Sequence, residues 1–242
     1  MLMSDAKIRL YVDQPLAPGQ AVRLSPDQAH YLAGVMRLTA GALVLLFNGR
    51  DGEWRAVLAE AGRRNAVAVC EAQTRALALP PDLWLIFAPI KKARTDFIVE
   101  KAVELGVRRI LPVQTRYTNS ERIRQDRLQA HAVEAAEQCG ATVVPDVAEL
   151  QALDRLLTAW PAGRRLIWCD EALAGQPAHL NDAPAPAAIL IGPEGGFAET
   201  EAKRLRGMKG VVPLSLGPRI LRADTAAVAA ITLWQAAQGD WR

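Results

Sequence analysis

Short, mostly apolar, strand-like runs occupy residues 8–12, 43–47, 53–58 and 66–70. Such runs, bounded by turn residues, predict strands. Between the second and third runs, Asn48-Gly49-Arg50-Asp51-Gly52 is rich in residues that tolerate positive φ, which predicts a hairpin-type turn. One helix interrupts the series. Ser25-Pro26-Asp27-Gln28 supplies an N-cap hydroxyl, a proline at the first helical position and a glutamine three residues on, so a helix is expected to run to about Met36. The simplest packing lays this helix on a small closed or half-closed sheet. The prolines of Ala76-Leu77-Ala78-Leu79-Pro80-Pro81-Asp82 cannot donate to a ladder and favour an extended path. They divide the chain into domains 1–75 and 81–242.

Beyond the prolines the pattern changes to strands alternating with helices. Apolar runs at 83–88, 109–113, 143–144, 166–169, 188–191 and 211–214 are continuous enough to be buried on both faces. Helices are expected over 95–105, ended by Gly106, over 120–138, ended by Gly140, and over 223–238. Such alternation predicts an α/β domain with a mostly parallel sheet.

The chain has 242 residues, of which 50% are hydrophobic, 23% charged and 5% aromatic. A chain of that size needs no disulfide or metal to complete its core. The composition excludes a disordered chain, a collagen-like rod and a disulfide scaffold. No apolar run reaches the ~18 residues of a membrane span, and the first residues lack a signal-peptide layout. A cytoplasmic protein is expected. Cys70, Cys139 and Cys169 with His30, His131 and His179 show no metal-ligand spacing, so no metal is expected. The net charge of +3 is uneven: residues 91–127 hold ten basic against five acidic side chains, +5, which leaves −2 for the rest. That stretch is either a set of solvated helix faces or a surface that tracks phosphates.

Two segments carry candidate chemistry. In Ile189-Leu190-Ile191-Gly192-Pro193-Glu194-Gly195-Gly196-Phe197 a buried strand runs into a glycine-rich loop. Such a loop either makes a tight turn or lets a ligand touch the main chain beyond the carboxyl end of a parallel strand. Its spacing is neither that of a P-loop nor that of a dinucleotide fold. In Leu214-Ser215-Leu216-Gly217-Pro218-Arg219-Ile220-Leu221-Arg222-Ala223-Asp224-Thr225 a second strand leads into the last helix. Arg219 and Arg222 stand where that helix begins, against the helix dipole. They call for an anionic partner, which is either Asp224 or a phosphate.

Together the two segments resemble the cofactor loops of the 16S ribosomal RNA uridine-N3 methyltransferases, the RsmE type of the SPOUT superfamily. Lys101-Ala102-Val103-Glu104-Leu105-Gly106-Val107 with Pro112, and Ala135-Ala136-Glu137-Gln138-Cys139-Gly140, are similar to that family's middle motifs. Gln28-Ala29-His30, Val35-Met36-Arg37 and Asn48-Gly49 resemble its amino-terminal domain. The resemblance covers nearly the whole chain. It implies a PUA-like β-barrel domain that binds RNA and a carboxy-terminal SPOUT trefoil-knot domain that binds S-adenosyl-L-methionine and forms a homodimer. The implied activity is methylation of N3 of a uridine in 16S ribosomal RNA or the small ribosomal subunit. A SPOUT ribose 2′-O-methyltransferase and a non-catalytic RNA-binding assembly factor are the alternatives.

Carried onto this chain, the resemblance assigns cofactor binding to Leu190, Gly192, Pro193, Glu194 and Gly196 of the first loop. In the second it assigns the same role to Leu216, Gly217, Ile220, Leu221 and Thr225. Arg222 and Asp224 are the catalytic candidates. RNA contacts are expected from Arg9, Arg37, Lys91, Lys92, Arg94, Arg116, Arg122 and Arg124. The chain departs from the family pattern at four places. Ala198 replaces a capping serine, although Glu201 remains three residues on. Ala223-Asp224 replaces Thr-Glu, Ala141 an arginine and Tyr31 a histidine.

Overall fold

The structure, a computed structural model, describes residues 6–119, 123–176, 180 and 183–241. Its contacts divide the chain into two compact units, Met1–Leu79 with Ala136–Val144 and Pro80–Ala135 with Pro145–Arg242. The break falls in the proline-bearing linker. The stretch 136–144, expected in the carboxy-terminal domain, groups with the amino-terminal unit.

In the first unit β1 (Arg9–Tyr11), β2 (Ala21–Arg23), β3 (Leu43–Phe47), β4 (Glu53–Ala61) and β5 (Ala66–Arg75) form a sheet in the order β1-β3-β4-β5-β2. β1 is parallel to β3, and the other pairs are antiparallel. Register shifts between β4 and β5, at Glu53/Trp54, Arg55/Ala56 and Leu58/Glu60, add the twist that curls the sheet into a half-barrel. The runs form strands as expected, and Val44, Leu46, Ala56, Leu58, Ala68 and Cys70 enter one core. Asn48 Oδ1 accepts from the backbone N–H groups of Arg50 and Asp51 at 3.0 and 2.8 Å, closing the expected turn.

The helix begins as predicted. Gln28 N–H donates to Ser25 Oγ at 3.2 Å and Ser25 N–H donates to Gln28 Oε1 at 3.1 Å, capping α1 (Pro26–His30). The chain then continues as a π-helical turn over Tyr31–Val35.

One basic residue expected on the RNA surface is an internal strut. Arg9 is 12% exposed and its Nε lies 2.6 Å from Glu53 Oε2. Its Nη atoms donate to the carbonyls of Ala136, Glu137 and Ala141 at 2.6 to 2.8 Å. With those donors engaged, Arg9 ties 136–144 to β1 and has little left to offer a phosphate. Glu53, 4% exposed, also accepts from Arg75 at 2.6 Å and from Thr74. Burial raises the Glu53 carboxyl, but the hydrogen bonds from Arg75, Arg9 and Thr74 outweigh it and hold the group below its usual 4.5.

The second unit alternates as expected. In chain order its strands and helices are β6 (Leu83–Phe87), α2 (Lys92–Glu104), β7 (Arg109–Gln114), α3 (Gln125–Cys139), β8 (Asp146–Val147), β9 (Gln151–Ala152) and α4 (Leu153–Thr158). They continue with β10 (Arg165–Cys169), β11 (Ala187–Ile191), α5 (Glu199–Gly207), β12 (Val211–Leu214) and α6 (Ala223–Gln238). The sheet runs β12-β10-β11-β6-β7-β8, with β9 also paired to β7, and every pairing is parallel. The last residues of α3 fall in the segment grouped with the first unit. Residues 143–144, expected as a strand, are not one; the pairing sits at Asp146–Val147. The start expected for α3, residues 120–122, lies outside the described residues. The pattern also left β2, β9 and α4 unassigned.

β11 is buried along its whole length, as a strand covered by helices on both faces must be. At its amino end Arg164 fixes the sheet. The guanidinium stacks 3.7 Å from the Trp84 ring and donates to Asp82 Oδ2 at 2.7 Å and to the Ala187 carbonyl at 2.9 Å. The starts of β6, β10 and β11 are thereby pinned, and the opposite ends carry the loops. Among the described residues no helix is long and apolar enough to cross a membrane, and no group of three or more metal-ligating side chains converges.

Candidate active site

Parallel strands open their carboxyl ends at one edge of a sheet. Because β12, β10 and β11 are neighbours, three loops meet there and enclose a cavity of about 240 Å³. Gly192, Pro193, Glu194 and Gly196 line it from the loop after β11, and Leu216, Gly217, Ile220 and Leu221 from the loop after β12. These are eight of the ten residues expected at the cofactor. The third wall was not foreseen: Trp168, Cys169, Asp170 and Glu171 end β10 and open the short 3₁₀ turn Glu171–Leu173. The signal available was that 166–169 reads as a parallel strand, whose carboxyl end borders any ligand. Strand order, which periodicity does not contain, decides which strand stands between β11 and β12.

The glycine-rich loop has two different needs for glycine. Gly196 adopts φ 67°, and its N–H donates to the Pro193 carbonyl at 2.9 Å, a turn a side chain would strain. Gly192 has no such φ; there a Cβ would stand 2.7 Å from the ring of Phe197. Phe197 meets Trp168 edge to face at 6.0 Å, so the ring under Gly192 is held in place. Gly217, at φ 102°, carries the loop after β12, and its carbonyl accepts from Gly175 N–H at 2.9 Å, tying that loop to the 3₁₀ segment.

At α5 the missing serine has the expected consequence. Ala198 is an N-cap without a side-chain hydrogen bond. Glu201 still accepts from Ala198 N–H at 2.9 Å and from Arg116 N–H at 2.9 Å, so the return half of the cap persists and anchors 116.

Leu190 and Thr225 do not line the cavity. Leu190 is fully buried in the central strand, paired with Trp168 on one side and Ile86 on the other, so its main chain is engaged in the sheet. Thr225 is exposed on the first turn of α6. Arg222 is the exposed N-cap of α6, between the lining residues Leu221 and Ala223. The partner of Asp224 is not Arg222 but Arg94, at 3.4 Å from α2. Cys169 lies within the wall, and burial pushes its thiol up to about 12.

The expected RNA-binding residues divide. Arg37, Lys91, Lys92 and Arg116 are exposed, and their side chains have no partner among the described residues. Arg37 also holds φ 56°, a backbone conformation unusual for a side-chain-bearing residue. Arg94 is given to Asp224. Arg124 forms an exposed ion pair with Asp126 at 2.6 Å, and Arg122 lies outside the described residues.

The sequence matches two family models, an RNA methyltransferase domain over residues 78–235 and an RNA methyltransferase PUA domain over residues 24–70. Ribosomal RNA small subunit methyltransferase E of Rickettsia conorii is 29% identical over 92% of this chain and 93% of its own. That of Synechocystis sp. is 31% identical over 87% of this chain and 71% of its own. The crystal structure of the Neisseria gonorrhoeae enzyme of that name, bound to S-adenosyl methionine, superposes with a TM-score of 0.86. It is 30% identical, covering 97% of this chain and 99% of the other. A putative methyltransferase of Legionella pneumophila, also with bound cofactor, gives 0.84 at 30% identity over 96% and 98%. With one model spanning well over half the sequence and relatives matched almost end to end, this chain belongs to the ribosomal RNA small subunit methyltransferase E family.

Proposed function

We propose that this protein transfers a methyl group from S-adenosylmethionine to N3 of a uridine in 16S ribosomal RNA, acting in the cytoplasm as a homodimer on RNA of the small ribosomal subunit. The observation that carries the reading is the meeting of three strand-end loops in one cavity beside Arg222. The residues present fit the cofactor. Trp168, Ile191, Leu214 and Leu221 give apolar walls for a purine, and the Cβ-free backbone at Gly192, Gly196 and Gly217 leaves main-chain groups open to a polar tail. When bound, the cofactor supplies a sulfonium methyl group open to attack by an electron-rich nitrogen.

What the chain must add follows from the acceptor. Uridine N3 carries an imide proton at neutral pH, so negative charge has to develop on N3 and the flanking carbonyl oxygens. Arg222, exposed at the N-cap of α6, stabilises that charge without titrating. Asp224, which Arg94 meets at 3.4 Å and to which Thr225 N–H donates at 2.8 Å, takes the imide proton in this reading. Lys91 and Lys92 stand at the start of α2 against its dipole, and with Arg116 they offer cations to phosphates. Phe97 on α2 and Leu233 on α6 are exposed apolar side chains on two helices that pack together, which supports a dimer.

The test is single-turnover methylation of small-subunit RNA by the wild type and Arg222→Ala, with cofactor binding measured in parallel. Removal of one anion-stabilising donor costs ~100- to 1000-fold in rate. Cofactor affinity should be retained, and the rate should partly recover at high pH, where the imide ionises unaided. Normal turnover by Arg222→Ala would remove Arg222 from the reaction.

A further inference from the structure

The cavity has an electrostatic bias that the shape argument does not use. Six charged side chains line it: Asp170, Glu171, Glu194 and Glu199 against Arg206 and Arg219. Two of these cancel, since Glu199 and Arg206 pair at 3.2 Å. Asp170 is committed to its own turn, where it accepts from Ala172 N–H at 3.0 Å. Glu171 has no side-chain partner among the described residues. Its backbone is held, because it opens the 3₁₀ turn that Asp170 caps and that the Gly175–Gly217 hydrogen bond ties to the loop after β12. The carboxylate of Glu171 lies over Gly196, in the space a side chain at 196 would fill. Glycine at 196 therefore does two things: it makes the turn, and it leaves room for a negative charge at the pocket wall.

Resting on the proposed use of S-adenosylmethionine, we infer that Glu171 is a specificity-determining residue that makes the pocket favour the cationic methyl donor over its neutral product. Loss of the methyl group turns a sulfonium into a thioether and removes one positive charge, while adenine, ribose and amino-acid tail stay the same. A carboxylate at the wall acts on that difference, whereas the apolar walls and the open backbone do not. Glu194 is also exposed, but only Glu171 has its carboxylate against the Gly196 backbone of the pocket wall. The bias also assists turnover, since the product leaves a pocket that no longer holds its charge.

Calorimetric titration of the full-length wild type and Glu171→Gln tests this with three ligands: S-adenosylmethionine, S-adenosylhomocysteine, and an unreactive analogue with an amine in place of the sulfonium. Glutamine keeps the size and hydrogen-bonding capacity and removes only the charge. An exposed charge pair of this kind changes affinity by about threefold to fivefold. Glu171→Gln should lose that much for both cationic ligands and less than about twofold for the thioether. In the wild type the cationic advantage should shrink at high salt. Equal losses for all three ligands would assign Glu171 to a group they share, such as the ribose hydroxyls, and would overturn the inference, as would no loss at all. A wild type that binds none of the three refutes the cofactor reading itself, and the inference with it.

Discussion

Replacing Gly192 by alanine tests the geometry of the glycine-rich loop where backbone strain plays no part. The new Cβ would lie 2.7, 3.1 and 3.2 Å from three carbons of the Phe197 ring. Ordinary carbon–carbon contact is ~3.5–4.0 Å, so ring or loop must give by close to an ångström. The ring has little freedom, because it rests edge-on against Trp168, which is 2% exposed in the core beneath. Overpacking of this kind costs ~1–3 kcal/mol. Since both residues line the cavity, any relief moves its wall. Gly192→Ala should therefore lose ~1–3 kcal/mol in urea denaturation and at least about tenfold in S-adenosylmethionine affinity by calorimetry. Gly192→Ala with Phe197→Leu should recover part of both. If the single variant binds the cofactor with wild-type affinity while its stability falls as expected, the loop packs as described but is not part of the cofactor site.

Three further outcomes follow from the same contacts. Glu53→Gln leaves Arg9 buried without its counter-charge and should cost ~3 kcal/mol or more in denaturation. Because the folded Glu53 carboxyl is held below 4.5, its stabilisation is fully present above that pH and is lost as pH falls through the lower folded value; acid titration of wild type and variant should show the difference between them closing there. Ala198→Ser restores a capping hydroxyl at α5 and should add ~0.5–2 kcal/mol, read as a raised denaturation midpoint; no gain would mean that Glu201 alone satisfies that helix end. At pH 8 a thiol alkylating reagent should modify the exposed Cys139 much faster than Cys169, whose thiol is raised to about 12. Labelling of Cys169 as fast as Cys139, followed by mass spectrometry, would contradict the raised thiol.

What could be read from the chain was local. The capping box at Ser25, the turn at Asn48 and the span of α6 depend on residues close in sequence, and they appear where the pattern places them. The loops after β11 and β12 were legible because glycines follow buried strands. The wall from Trp168 to Glu171 was not, because its place between those loops arises from a strand order in which β10 lies between β11 and β12. Arg9 fails for a similar reason. As a lone basic residue on a short strand it reads as surface charge, and only the approach of 136–144 and Glu53 turns it into a strut. Residues 143–144 are apolar enough for a strand, but the edge of the sheet is reached by 146–147. Short elements such as β2 and β9 have too few residues to show a period at all.

The central claim is tested most directly by the chemistry of the product. Small ribosomal subunits from cells lacking this protein would be incubated with the purified full-length chain and isotopically labelled S-adenosylmethionine. The RNA would then be digested and its nucleosides separated by mass spectrometry. The account predicts label in 3-methyluridine, at one position of 16S ribosomal RNA. Label in a 2′-O-methylated nucleoside would make this a ribose methyltransferase, and cofactor binding without any labelled product would make it an RNA-binding factor; either result contradicts the account.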